Sequence, residues 1–204
     1  MKTHVKLPFL MNKKEIQKIY QKYKVPKHIV AHMKKVAEIC SILANKLLKK
    51  GIKIEKELLL KAALLHDVLR ISDIRNFNLK EFGEKIPKST VKIWENLRKK
   101  YKKIKHEKAA YLLLKSINQP KIASLVRKHD FYLIDKLKTL EEKILYYADK
   151  RVDFDKIVTL KNRFKTGRKR NNRPEDDMEK VAEIEKKIYK LEKELKLIIG
   201  DFKL

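Results

Sequence analysis

An adjacent histidine and aspartate stand in the middle of an apolar run, Ala62-Ala63-Leu64-Leu65-His66-Asp67-Val68-Leu69-Arg70. No other feature constrains the fold of the chain as tightly. A run of this kind goes inside, where an ionised carboxylate without a partner costs several kcal/mol. That cost has to be offset by an opposite charge or by hydrogen bonds. A divalent cation supplies the charge, and neutral imidazole is among its commonest co-ligands. The pair therefore predicts a cation site within a core, with further ligands elsewhere in the sequence.

The rest of the chain reads as helix. Only 4 Gly and 5 Pro occur in 204 residues, which leaves few turn signals and favours long helices over many short strands. Periodicity predicts helices over about 12–24, 26–50, 55–71, 88–101, 106–117, 119–130, 139–152 and 159–165. Residues 72–87 read as a loop able to overhang a site beside His66 and Asp67. Candidate ligands recur on the apolar faces of these helices. His32 lies in the stripe Ile29, His32, Val36, Ile39, Leu43, and His106 opens His106, Ala110, Leu113, Ile117. His129 follows Ile122 and Leu125, and Asp149 sits between Leu145 and Val152. One polar residue on an apolar stripe is ordinary, whereas six on five separate segments suggest convergence.

In order and spacing, His32, then His66-Asp67, then Asp149 in the string YYADK resemble the HD-domain metal-dependent phosphohydrolases. The likeness runs from about Val25 to Phe164 and is strongest in VPKHIVAHMKKVA, LLKAALLHDVLR and EEKILYYADKRVD. It implies an all-α, single HD-type domain over 1–165; beyond it, composition and apolar period read as a basic linker over 166–174 and a C-terminal amphipathic helix over 175–204 packed on the domain. The extra histidines, in HEKAAYLLL and LVRKHDFY, resemble those that hold a second metal in binuclear members. In that arrangement Asp67 bridges two ions about 3.5–4 Å apart. His32, His66 and Asp149 complete one ion, and His106 with His129 bind the other. One departure stands out: many relatives read HD-Ile-Gly-Lys where this chain has HD-Val-Leu-Arg, so Leu69 replaces a small residue.

The resemblance implies cleavage of a phosphate ester or anhydride of a nucleotide-like small molecule by metal-activated water. Imidazole and carboxylate donors suit Mn, Fe, Co, Ni or Zn as one or two ions, while Mg, which prefers all-oxygen ligation, fits less well. Asp67, Arg70 and Lys150 are the candidate catalytic residues. On a helix Arg70 shares a face with His66 and Asp67, so it either grips phosphate or pairs with Asp149 or Asp73. Lys150 points about 100° from Asp149 and has to turn to reach an anion. Alternatives remain at several positions. His106 could be exposed at its helix start, His129 could be a core histidine bonded to a carbonyl, and His28 reads as a surface residue. Tyr146, Tyr147 and Trp94 read as core aromatics.

Charge opens a competing class. The net charge of +27 makes nucleic acid a candidate partner. Yet only nine of the 53 basic residues are Arg, and the Lys are spread along the chain, which reads as solvated helix faces. Arg168, Arg170 and Arg173 cluster in the basic stretch, either a linker or a phosphate-contacting arm. The alternative function is thus a basic helical nucleic-acid-binding protein with a structural or vestigial metal site. A lone Cys40 and the absence of a signal peptide or membrane-length apolar run lead to a cytoplasmic, membrane-free expectation. The seam Val181, Ile184, Ile188, Leu191, Leu195, Ile198 spans under three heptads and reads as docking on the domain, leaving a monomer or homodimer.

Overall fold

Pro26 just ahead of α2 (Lys27–Lys49) and Gly51 at φ +74 just beyond it delimit the longest helix, and the rest of the core assembles around it. The computed structural model describes residues 11–74, 85–170, 177–202 and 204. Before α2 comes α1 (Lys13–Lys22), opened by a capping box between Asn12 and Glu15. After it follow α3 (Lys56–Ala63), α4 (Lys88–Lys100), α5 (His106–Ser116), α6 (Pro120–Arg127), α7 (Leu140–Lys150), α8 (Leu160–Arg170) and α9 (Met178–Ile199). Among the described residues, two 3-10 segments, Arg70–Ser72 and Phe131–Lys136, interrupt the series. The fold is all-α, as the sequence implies, with an added C-terminal helix.

Helix α2 runs through the centre because Met33, Val36, Ile39, Cys40, Leu43, Ala44 and Leu47 repeat on one face and are fully buried. Helices α3 and α7 pack on it, α5 pairs with α6, which rests on α3, and α9 lies across α7 and α2. Ile184, Ile188, Leu191, Leu195 and Ile199 form the buried side of α9, so the C-terminal seam docks on the domain. Val181 and Ile198 are only partly covered. Trp94 and both Tyr146 and Tyr147 are core aromatics, and the Trp94 Nε1 donates to the Lys24 carbonyl at 2.8 Å. Among the described residues no helix is long and apolar enough to cross a membrane.

Several expected boundaries differ. The helix expected over 55–71 stops at Ala63, so His66 and Asp67 lie on a turn. The cause is tertiary. The Tyr20 hydroxyl donates to the Leu64 carbonyl and the His66 Nδ1 donates to the Ala63 carbonyl at 2.8 Å. Both carbonyls are thereby taken from the helical ladder that would continue through Asp67 and Val68. The helix expected to 130 ends at Arg127, which places His129 on a second turn.

Instead of helix through 152, Val152–Asp153 (β1) pairs antiparallel with Lys156–Ile157 (β2) in a hairpin with Phe154 and Asp155 at its apex. Phe154 has φ +55, a conformation that costs a bulky side chain about 1–2 kcal/mol and that glycine normally fills. The basic stretch expected as a linker over 166–174 begins as helix, since α8 reaches Arg170; residues 171–174 lie outside the described residues. So does most of the expected loop over 72–87, of which 75–84 are not described.

Candidate metal centre

Five segments deliver the six ligand candidates of the sequence to one place. His32 comes from α2, His66 and Asp67 from the turn after α3, His106 from the first residue of α5, His129 from the turn after α6, and Asp149 from the end of α7. Asp67 occupies the middle. Its Oδ2 lies 3.9 Å from both His32 Nε2 and His66 Nε2. Its Oδ1 lies 3.0 Å from His106 Nε2 and 3.4 Å from His129 Nε2. One carboxylate thus divides its two oxygens between two histidine pairs. Asp149 Oδ1 completes the first group, 3.0 Å from His32 Nε2 and 3.4 Å from His66 Nε2.

The far sides of the rings fix what the near sides can do. His32 Nδ1 donates to the Phe154 carbonyl at 2.9 Å, His66 Nδ1 to Ala63 and His129 Nδ1 to Val126. His106 Nδ1 stands 2.8 Å from Asp73 Oδ2, which also accepts the His106 backbone N–H at 3.0 Å. In the neutral tautomer that these carbonyls select, the Nε2 atoms of His32, His66 and His129 turn lone pairs toward carboxylate oxygens. Lone pairs facing anions at such distances repel unless a cation lies between them. The His66 ring makes the point best: it is fully buried, and its Nε2 has no hydrogen-bond partner. An imidazole that donates one nitrogen to a carbonyl or carboxylate and aims the other at a shared point is the usual posture of a metal ligand. The donor set fits a divalent metal.

Charge in the site agrees with that reading. Burial works against ionisation of Asp67, yet His66 and His106 beside it hold its carboxyl well below the usual carboxylate range. Asp149 is likewise held well below despite burial, chiefly by the Lys150 ammonium and by His32. Burial and Arg70 oppose a proton on His106, but Asp67 and Glu107 outweigh them and push it up to about 9. A second proton on that ring occupies the position in which a cation would satisfy Asp67.

The remaining candidates fall around this centre. Arg70 reaches it from the 3-10 turn, where its Nη1 lies 2.7 Å from His106 Nδ1 and 3.5 Å from Asp73 Oδ1. Lys150 is buried, donating to Asp149 Oδ2 at 2.6 Å and to the His129 carbonyl at 3.0 Å. His106 is buried rather than exposed, and His129 both bonds a carbonyl and faces the site. His28 is surface-facing in part but borders the cavity. Leu69 is fully buried in the core.

Two carboxylates escaped the sequence reading as ligand candidates. Glu107, 7% exposed, places Oε1 at 3.6 Å from His106 Nε2, and with Asp73 and His106 it forms a further group able to hold an ion. Neither belongs to an apolar stripe that would have marked it. Only the start of α5 beside a buried histidine hinted at Glu107.

The centre opens into a cavity of about 480 Å³ whose wall includes Asp67, Arg70, His106 and Asp149 together with Phe131, Tyr132 and Phe154. A family model described as the HD domain matches residues 29–152. No curated protein and no solved structure matches the chain.

Proposed function

The chain belongs to the HD-domain family, whose model covers more than half of it, and from that premise we propose a metal-dependent phosphohydrolase acting on a phosphate ester or anhydride of a nucleotide-like small molecule. The observation that carries the reading is the set of imidazole lone pairs aimed at the two oxygens of Asp67. His32, His66, Asp67 and Asp149 would hold one ion; Asp67, His106 and His129 would hold a second. Divalent cations of the Mn, Fe, Co, Ni or Zn type would supply Lewis acidity, acidifying water and offsetting charge on phosphoryl oxygens.

The chain's own groups have separate tasks. Arg70 borders the cavity and binds a phosphoryl oxygen while remaining anchored by Asp73. Lys150 holds Asp149 in place and neutralises its outer oxygen. Asp73 orients the His106 ring. The apolar floor behind His66 limits water to the cavity side, where charge interactions are stronger than in bulk.

Elemental analysis of the purified protein, with hydrolysis of a generic phosphate ester under added Mn, Fe, Co or Ni, tests the proposal. Turnover and retained metal are expected, both abolished by Asp67→Ala. Full activity of that variant sinks the site assignment. The net charge of +27 supports a second reading, a nucleic-acid-binding helical protein with a structural metal site. It requires tight, steeply salt-dependent nucleic-acid binding and no turnover.

A further inference from the structure

Phosphate chemistry at Asp67 does not account for the basic stretch beyond residue 160, and the fold sets that stretch beside the metal centre. Helix α8 carries six basic residues in eleven, Lys161, Arg163, Lys165, Arg168, Lys169 and Arg170, and no acidic one. Against 53 basic residues in 204 for the whole chain, that is about a two-fold enrichment. Lysines elsewhere are balanced on their own helices: Lys35 pairs with Glu38, Lys61 with Glu57 and Lys187 with Glu183. Lys161, Lys165 and Lys169 are exposed and have no acidic partner among the described residues. They recur every four residues, so they form one line along the helix, about 6 Å of rise from each to the next. Like charges at that spacing repel and weaken the helix that carries them, a strain that an anion laid along the line relieves.

The line runs into the cavity. Arg163, Phe164, Gly167 and Arg168 border the same cavity as Asp67 and His106. Gly167 stands within the helix and without a positive φ, so its backbone does not call for glycine. A Cβ there would come within 3.3 Å of Arg163 Nη1, so the bare position leaves room for that guanidinium. Arg168, held by Glu185, stands between Lys165 and Lys169 in sequence and joins the cavity face of α8 to its exposed line. The depth of the centre sets the form of the anion. His66 is fully buried and the Asp67 side chain is 15% exposed, so a reacting phosphate has to enter a pocket of about 480 Å³. A duplex is too stiff to bend a phosphate into such a pocket, whereas a single strand can thread it.

We propose that α8 is the track for a single-stranded nucleic acid, whose scissile phosphodiester lies at Asp67 and the histidines while its neighbouring phosphates lie along Arg168, Lys161, Lys165 and Lys169. The assignment rests on the phosphohydrolase reading and extends its substrate from a lone nucleotide to a strand. Hydrolysis consumes one water: its oxygen bonds to phosphorus, the bond from phosphorus to the next nucleoside's oxygen breaks, and a water proton ends on that oxygen.

The test is steady-state hydrolysis, by the metal-loaded full-length protein, of thymidine oligonucleotides two, four and eight nucleotides long, with 4-nitrophenyl phosphate as the monoester probe. From dimer to octamer kcat/KM is expected to rise about ten-fold or more at about 50 mM salt and to lose most of that rise at about 200 mM, as several phosphate contacts require. Lys161→Gln, Lys165→Gln and Lys169→Gln combined should remove the rise and leave the dimer unchanged, with a melting curve showing the variant folded. The same three positions changed to Arg should keep it. Lys88→Gln, Lys92→Gln and Lys99→Gln combined, at exposed positions of α4, remove the same charge and should leave the rise intact. An octamer hydrolysed no better than the dimer, a rise that survives the α8 changes, or an equal loss from the α4 changes overturns the track and leaves the phosphohydrolase reading standing. Hydrolysis of 4-nitrophenyl phosphate alone does the same. Absent hydrolysis of every probe overturns both the track and the reading beneath it.

Discussion

Lys150 and Asp149, neighbours in the chain, form a buried ion pair in which Nζ donates to Oδ2 at 2.6 Å. Consecutive helical residues point about 100° apart, so the lysine has to curl back to make this contact. Its ammonium is held a second time by the His129 carbonyl at 3.0 Å and lies 4.5 Å from the Tyr146 ring centroid. Lys150 therefore braces ligand candidates from two segments at once, and its position favours support of the proposed metal centre over direct contact with phosphate.

Lys150→Ala is accordingly expected to weaken metal binding about 10–100-fold, the usual effect of removing a group that orients a ligand. Metal titration reads the affinity and steady-state kinetics read KM. A raised KM with unaltered metal affinity would instead make Lys150 a phosphate contact.

Glu107 gives a second expectation. It is buried, its Oε1 approaches His106 Nε2, and its Oε2 has no hydrogen-bond partner. A carboxylate oxygen left so is costly unless a cation serves it. Glu107→Gln keeps the shape and removes the charge. It should weaken the second ion about ten-fold or more while sparing the first. Elemental stoichiometry after dialysis distinguishes this from a structural role, which would leave both ions bound.

How far the site was legible depends on what each ligand's neighbours say. His32, His66, Asp67, His129 and Asp149 sit among Leu, Ile and Val, and a polar group on such a stripe announces itself in sequence. Glu107 does not, because an acidic residue beside Lys105 and Lys108 reads as solvated surface until neighbouring elements bury it, and Asp73 does not, because it opens a stretch without period that reads as loop. The end of α3 at Ala63 was hidden for another reason. The apolar period continues through Leu65 and Val68, while the carbonyls of Ala63 and Leu64 are drawn off by His66 and by Tyr20, 44 residues away in sequence from Leu64. The hairpin apex at Phe154 carries no glycine, so the usual turn signal is missing.

The docking of α9 can be checked through Leu195, fully buried where α9 lies against the domain. Leu195→Ala should destabilise the protein by about 2–5 kcal/mol, the range for a large-to-small change in a packed core. Denaturant unfolding by circular dichroism measures this. A loss under about 0.5 kcal/mol, as at an exposed site, would mean that α9 is not packed on the domain in solution.

The last expectation concerns pH and follows from His106. Its ring faces Asp67, Asp73 and Glu107, opposed by Arg70 and beside His129. Burial and Arg70 disfavour its proton, but Asp67 and Glu107 prevail and lift it from 6.5 to about 9. A folded-state value above the unfolded one means that the proton stabilises the fold. That contribution is fully present below about 6.5 and is lost as pH rises through about 9. Metal binding removes the proton, because imidazole ligates only when neutral at the coordinating nitrogen. The metal-free protein should therefore lose melting temperature between pH 7 and 10, and the metal-loaded protein should lose less over the same range. His106→Gln should flatten the metal-free curve. Parallel losses in the loaded and metal-free forms would show that His106 is not where proton and metal compete.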